Sequence, residues 1–353
     1  MTSIPVIIDT DPGLDEPGSD IDDGLAIALA LRSPELDVLG LTIVNGNVDA
    51  HTGTDVARTL VERLGVPGLP VVLGATEPLE RDMAPVRALF ATAFGAGEGE
   101  LKGKGARGAE LRGPNTEEHA ADFLARLVAE RPGEIVVIAI GPMTNLALAI
   151  QRYPEFARNV REFVLMAGSA TGYAQNITVV GDFNTYVDPE ALDIVLHSGG
   201  AIRMVGLDQT SRVMLTRDDA AALRKESDAF SRWAADCADA WIDFLARAFP
   251  NRPEHETACF LHDPLVIAAV IDPNLLTWQE ANVQVETESE LARGLVVANR
   301  GLALEPAGPM NATVAIDTGV EAFRRLFLER ISAEAPVHPD HSTQHRSTSH
   351  DYP

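Results

Sequence analysis

Residues 4–31 read IPVIIDTDPGLDEPGSDIDDGLAIALAL, and this stretch decides the fold. Ile4 to Ile8 is a short apolar run that stops at an acid, as a strand buried on both faces does. Gly24 to Leu31 is apolar and long enough to begin a helix. A strand, an acidic loop and a helix in succession open a βα unit of a parallel sheet. In such sheets the carboxyl ends of the strands face the ligand crevice, so Asp9-Thr10-Asp11-Pro12-Gly13 directs carboxylates into a site. Asp22-Asp23 opens the following helix, where either acid alone would also be a good cap. With Asp15, Glu16 and Asp20 between them, positions 9–23 hold seven carboxylates. So many like charges in one short loop repel unless a cation sits among them. Oxygen-only ligands point to a hard cation, Ca²⁺ or Mg²⁺, rather than zinc.

The alternation continues outward from this unit. Strands are expected at 36–44 (LDVLGLTIV), 69–73, 134–140 (EIVVIAI), 163–166 and 202–205, with helices at 53–64, 117–131 and 144–151 between them. The fold class is α/β, a Rossmann-like open, mostly parallel sheet flanked by helices. Residues 216–248 read as a long helical region carrying Trp233, Trp241 and Phe244, and 281–333 as strands followed by a closing helix. Residues 94–114 are Gly-rich and read as a mobile loop. Residues 335–353 are polar, rich in Pro, Ser and His, and read as disordered. The expected organisation is one catalytic domain over 1–333 and a tail over 334–353.

Composition narrows the function. The chain has 353 residues, 46% of them hydrophobic, and a formal net charge of −24. It has ample apolar material for a core, and the negative balance argues against nucleic-acid or anionic-membrane partners, which need a cationic face. Two cysteines, Cys237 and Cys259, are too few for a disulfide framework, so a reduced, cytoplasmic chain is expected. The N-terminus lacks a basic region ahead of its apolar run and does not read as a signal peptide. No apolar run reaches the roughly 18 residues of a membrane helix.

Three further constellations carry polar chemistry. Gly141-Pro142-Met143-Thr144-Asn145 follows the strand EIVVIAI and places a helix start and a strand-end carbonyl at the same sheet edge. His262-Asp263-Pro264 precedes the apolar helix LVIAAVI. Asn176-Ile177-Thr178, Asp182-Phe183-Asn184 and Asp188-Pro189-Glu190 suit hydrogen bonding to a polyhydroxylated ligand, although Asn and Asp are also ordinary turn formers.

Taken in order, DTDPG, DDGLAIALAL, VNGN at 44–47, GPMTNLALAI, FVLMAGS at 163–169, NITVVGDFN, VDPEA and LHDPLVIAAVIDP resemble the inosine-uridine-preferring nucleoside hydrolases over roughly residues 4–330. That resemblance implies calcium-dependent hydrolysis of the N-glycosidic bond of ribonucleosides, with a homodimer or homotetramer as the assembly. It implies Asp11 as calcium ligand and general base, and Asp23, Asp263 and the backbone carbonyl of Thr144 as further ligands. Asp22, Asn47, Met166, Asn176, Asp182 and Asn184 would contact the ribose, and His262 would assist the leaving base. Trp241, with Phe244, is a candidate for stacking on the base, core packing being the other reading. The chemistry suits these groups: an oxocarbenium-like state needs a water activated on one face and a leaving group assisted on the other.

The chain departs from the family pattern in three places. Residues 14–20 interrupt the usual DPGxDD, so Asp15-Glu16 compete with Asp22-Asp23 for the paired-acid positions; the latter are preferred because they run into the expected helix. The inserted residues would form an acidic loop at the site mouth. Asp182 stands where Glu is usual, and the 94–114 loop lacks the His-Gly motif that many members carry near the base. Two other readings remain open at this point. A haloacid-dehalogenase-like phosphatase also presents a strand followed by DxD, but it needs a lysine at the site, and Lys102, Lys104 and Lys225 all lie away from strand ends. The other is a catalytically inactive, cation-stabilised binding protein of the same fold.

Overall fold

The computed structural model describes residues 3–15, 19–88, 118–172, 176–226, 228–304, 306 and 308–333. The Gly-rich 94–114 segment and the tail beyond 333 lie outside the described residues. The scaffold is one nine-stranded sheet built from β1 (Ile4–Thr10), β2 (Leu36–Ile43), β3 (Val71–Leu73), β4 (Val136–Ala139), β5 (Glu162–Met166), β6 (Ile202–Val205), β9 (Leu276–Val285), β10 (Val296–Asn299) and β11 (Ala312–Thr318). Its order is β3-β2-β1-β4-β5-β6-β11-β9-β10. Every pairing from β3 to β11 is parallel, while β9 runs antiparallel to β11 and β10. Strands β7 (Met214–Thr216) and β8 (Ala258–Phe260) form a separate antiparallel pair that sequence periodicity does not reveal.

The chain adds strands in one direction from β1 to β3, then crosses back to lay β4 on the other side of β1. The strand order therefore reverses between β1 and β4, and this is where open α/β sheets bind ligands. β1 is buried along its length because helices cover both faces, which is why its sequence is apolar without alternation. It runs two residues beyond Ile8, so Asp9 belongs to the strand and Asp11 is the first residue off its end.

Helix Asp22–Leu31 is wholly buried and helix His262–Ile271 nearly so, and the two pack against each other. A helix apolar all round must be buried in this way. Their packing sets the two acid-bearing N-termini side by side. Helix starts elsewhere follow capping chemistry: Asp49 accepts from the backbone of His51 and Thr52, so the second helix begins at Ala50 rather than 53. The long helical region expected over 216–248 is built of two helices, Arg217–Leu223 and Ala229–Ala248. Asp228 caps the second by accepting from Ser231 N. Cys237 and Cys259 are free and buried. Among the described residues no helix is long and apolar enough to cross a membrane.

Candidate active site

Where β1 ends, its polar atoms reach across to the start of helix Asp22–Leu31. The Thr10 hydroxyl donates to Asp23 Oδ1 at 2.5 Å and the Asp11 backbone N–H to the same oxygen at 3.2 Å. Asn47, just past β2, donates its side-chain amide to Asp23 Oδ2 at 2.9 Å and its backbone N–H to Asp11 Oδ2 at 2.7 Å. Asp23 is thereby fixed at both oxygens, whereas Asp11 Oδ1 is buried without a hydrogen-bond partner. Two glycines allow backbone to close around Asp11. A Cβ on Gly46 would lie 1.9 Å from Asp11 Oδ2, and one on Gly141 would lie 2.6 Å from Asp11 Oδ1.

From the second helix, Asp263 brings its carboxylate to the same place, and its backbone N–H donates to Asp22 Oδ2 at 3.1 Å. Asp22, Asp23 and Asp263 each offer an oxygen within 4.8 Å of the others, and all three are buried. Burial pushes the carboxyls of Asp11, Asp22, Asp23 and Asp263 up from their ordinary range. Repulsion by neighbouring acids, chiefly Asp23 on Asp11, Asp20 on Asp22 and Asp22 on Asp263, pushes those three further, whereas the hydrogen bonds from Thr10, the Asp11 backbone and Asn47 pull Asp23 partly back. Among the described residues no arginine or lysine pairs with any of these four. A buried, oxygen-only donor set with an orphaned carboxylate oxygen fits a hard divalent cation, and its lack of thiol and imidazole donors does not fit a soft one.

Asp9 stands behind this cluster. Thr42 and Asn145 donate to its Oδ1 at 2.5 and 2.8 Å, its Oδ2 has no partner, and burial raises it to about 7. Asn145 also donates to Ile43 O at 3.1 Å and accepts from Ala75 N at 2.8 Å, so one amide ties the ends of β1 and β2 to the residues after β3. Sequence reading missed Thr10, Thr42 and Asn145, because nothing in a lone threonine or asparagine tells which strand end it will meet.

The remaining expected residues fall into distinct places. Asn184 donates to Ile140 O at 2.7 Å and Met166 O at 3.2 Å, linking the ends of β4 and β5 beside the carboxylates. Thr144 opens the helix Thr144–Arg152, so its carbonyl runs along the helix axis instead of into the crevice. Its hydroxyl donates to Asp188 Oδ2 at 2.7 Å, and the carbonyl at the end of β4 that faces Asn184 is that of Ile140. Asp182 caps helix Phe183–Val187: its oxygens accept from Gly168 N at 2.6 Å and Thr185 N at 3.1 Å. Asn176 is exposed. Trp241 lies in the main core, 9% exposed and stacked on Phe244 at 5.0 Å between ring centres.

His262, one residue before Asp263, is only partly exposed. Desolvation pulls it down to about 4, so the imidazole is neutral near pH 7 and offers an N–H rather than a positive charge. Its Nδ1 lies 2.8 Å from the Thr210 hydroxyl. As for the inserted residues, Asp15 is exposed with a left-handed φ of 72°, while Leu14 is buried against Gly24 and Ser19 is buried. Glu16 lies outside the described residues, and among those described Asp22 and Asp23 stand in the cluster with Asp263. The insertion also leaves Asp20 beside them, its carboxyl held by Ile21 N at 2.7 Å and raised to about 6 by burial.

At the switch point of an open, largely parallel sheet, Asp22 and Asp23 from one helix N-terminus and Asp263 from another gather beside Asp11 in an arrangement suited to a hard cation. The chain belongs to the inosine-uridine preferring nucleoside hydrolase family, whose model matches residues 6–325. It is thus a nucleoside hydrolase, an enzyme acting on N-glycosyl bonds, and the phosphatase reading is not favoured. It is similar to uridine nucleosidase 1 of Arabidopsis thaliana, 35% identical over 84% of this chain and 82% of that protein. It is also similar to the pyrimidine-specific ribonucleoside hydrolase RihA of Citrobacter koseri, 33% identical over 94% of this chain and 98% of that one. The solved purine-preferring ribonucleoside hydrolase from Gardnerella vaginalis superposes with a TM-score of 0.79 at 31% identity, covering 94% of this chain and 99% of that one.

Proposed function

We propose that this chain hydrolyses ribonucleosides to ribose and free base in a calcium-dependent reaction, with Asp11 as the general base. The observation that carries this reading is the Asp11 carboxylate: Oδ2 is held by Asn47 N, and Oδ1 is buried and unpartnered beside the trio Asp22, Asp23 and Asp263. Asp22, Asp23 and Asp263, with Asp11 next to them, would hold the cation. When bound, a divalent cation in such a site orients water and substrate hydroxyls and makes the water more acidic.

The protein's own groups supply the rest. Asp11 Oδ1 takes one proton of the attacking water as its oxygen bonds to the anomeric carbon. The base leaves with the electron pair of the N-glycosidic bond, and its developing charge is met by a hydrogen bond before solvent water protonates it. Asn47 and Thr10 keep Asp11 and Asp23 in register, and the neutral His262 offers its N–H to the departing base. Met166 at the end of β5 and Asn184, whose amide bridges the ends of β4 and β5, would border the ribose. Release of ribose from uridine, cytidine and inosine, with and without a chelator, tests the proposal. Turnover abolished by chelation and restored by calcium supports it, turnover indifferent to chelation rejects calcium dependence, and no ribose from any substrate favours the inactive binding protein.

A further inference from the structure

We propose that Thr210 is a positioning residue for this reaction: its hydroxyl holds the His262 ring and keeps the ring proton on Nε2, where it can meet the leaving base. The inference rests on the reading that His262 assists base departure.

Thr210 ends the short helix Leu207–Thr210 that follows β6, and it is fully buried. The carbonyl that might have taken its hydroxyl, that of Gly206, already accepts the backbone N–H groups of Gln209 and Thr210 at 2.9 and 3.0 Å. Among the described residues the only hydrogen-bond partner of the hydroxyl is His262 Nδ1, at 2.8 Å. A buried hydroxyl needs an acceptor for its proton, so the hydroxyl donates and Nδ1 accepts. An imidazole whose Nδ1 accepts carries its hydrogen on Nε2. The tautomer is thus set by one threonine.

The two residues are also held rigidly with respect to each other. Leu261 N donates to Val213 O at 3.1 Å, and Met214 pairs with Phe260 in the β7–β8 ladder. Gln209 Oε1 accepts from Thr318 Oγ1 at 3.0 Å, which clamps the Thr210 turn to β11. The Phe260 ring, 5.2 Å from that of His262, limits how the imidazole can tilt. As the base departs with the bonding electron pair, Nε2–H donates a hydrogen bond to the charge building on it. No proton need leave the imidazole. A threonine hydroxyl buried against a catalytic ring resembles the outer partners that fix histidine tautomers in metal sites.

Three variants, Thr210→Val, Thr210→Ser and His262→Asn, assayed on inosine, uridine and p-nitrophenyl riboside, test this. The phenolate of the last substrate leaves unaided. Thr210→Val is expected to lower kcat on the nucleosides by about tenfold to a hundredfold, with p-nitrophenyl riboside hardly affected and Thr210→Ser close to wild type. Adding His262→Asn to Thr210→Val should produce no loss beyond that of His262→Asn alone. ¹⁵N spectra should show the His262 proton on Nε2 in the wild type and in Thr210→Ser, and an altered tautomer or exchange in Thr210→Val. Equal losses on all substrates, or an unchanged tautomer in Thr210→Val, would overturn the proposal while leaving His262 as base partner. If His262→Asn itself slows all substrates alike, the reading beneath it fails, and the proposal falls with it.

Discussion

Asp263 donates its backbone N–H to Asp22 Oδ2 at 3.1 Å across 241 positions of sequence. The acid that opens one buried helix caps the other, and the two helix N-termini turn their positive ends toward the same carboxylates. That arrangement softens the repulsion among Asp22, Asp23 and Asp263 without cancelling it. Occupancy by calcium at about a hundredfold its Kd should add about 2.7 kcal/mol of stability. Asp22→Asn and Asp263→Asn should each lose most of the calcium-dependent rise in Tm, while the metal-free variants melt no lower than the metal-free parent, since one buried charge is gone. Scanning calorimetry against calcium concentration decides this. An undiminished calcium response in both would remove the trio as the cation site.

The same burial predicts how stability follows pH. Asp9 and Asp20 are raised to about 7 and about 6 in the folded chain, mainly by desolvation, against an ordinary value of 3.8. A carboxyl raised on folding binds more protons in the native than in the unfolded state between those values. Its contribution is intact below the unfolded pKa and is lost as pH rises through the folded one. Chelated protein should therefore melt progressively lower as pH rises from about 4 through 7, whereas calcium-loaded protein should show a much smaller fall. A flat profile for the chelated chain would contradict the buried, uncompensated state of these acids.

Asp11→Asn keeps the size of the side chain and an oxygen to accept from Asn47 N, but it cannot take a proton from water. Its kcat should drop by about a thousandfold with the fold retained. Single-turnover ribose release and a far-ultraviolet spectrum separate lost chemistry from lost structure. Activity within a few-fold of wild type would eliminate Asp11 as the base.

Gly46 sets how close the backbone may come to that base. The methyl group of Gly46→Ala would sit 1.9 Å from Asp11 Oδ2, so either the carboxylate or the turn after β2 must move. The displacement should destabilise by about 1–3 kcal/mol and depress kcat more than KM. Unaltered kinetics in a folded Gly46→Ala variant would show that Asp11 tolerates relocation.

Sequence and structure part company in instructive places. The apolar run Ile4–Ile8, the acids after it and the acid pair ahead of GLAIALAL were legible because burial and charge leave periodic or clustered marks. Asn145 and Thr210 were not, since their meaning depends on partners 136 and 52 positions away. Thr144 shows a subtler limit: the helix start was readable, but the direction of one carbonyl depends on which residue is the first helical one, and that left Ile140 at the crevice. The break within 216–248 had a local signal in Asp228 followed by Ser231, a capping pair hidden inside an otherwise helical pattern.

Trp241 separates packing from recognition. It belongs to the main core, lies nearly parallel to Phe244 with 8° between the ring planes, and is almost fully enclosed. A ring so placed contributes chiefly through buried area and contact with its neighbours. Trp241→Ala should therefore destabilise by about 3–5 kcal/mol, and Trp241→Phe by markedly less because a ring still meets Phe244. The ratio of kcat/KM for uridine to that for inosine should stay within about threefold of wild type in Trp241→Phe, because a base platform would discriminate between ring systems and a core residue does not. Denaturant unfolding supplies the first quantity and the two-substrate assay the second. A stable Trp241→Phe chain with a changed preference would move this indole from the core to the base-binding wall.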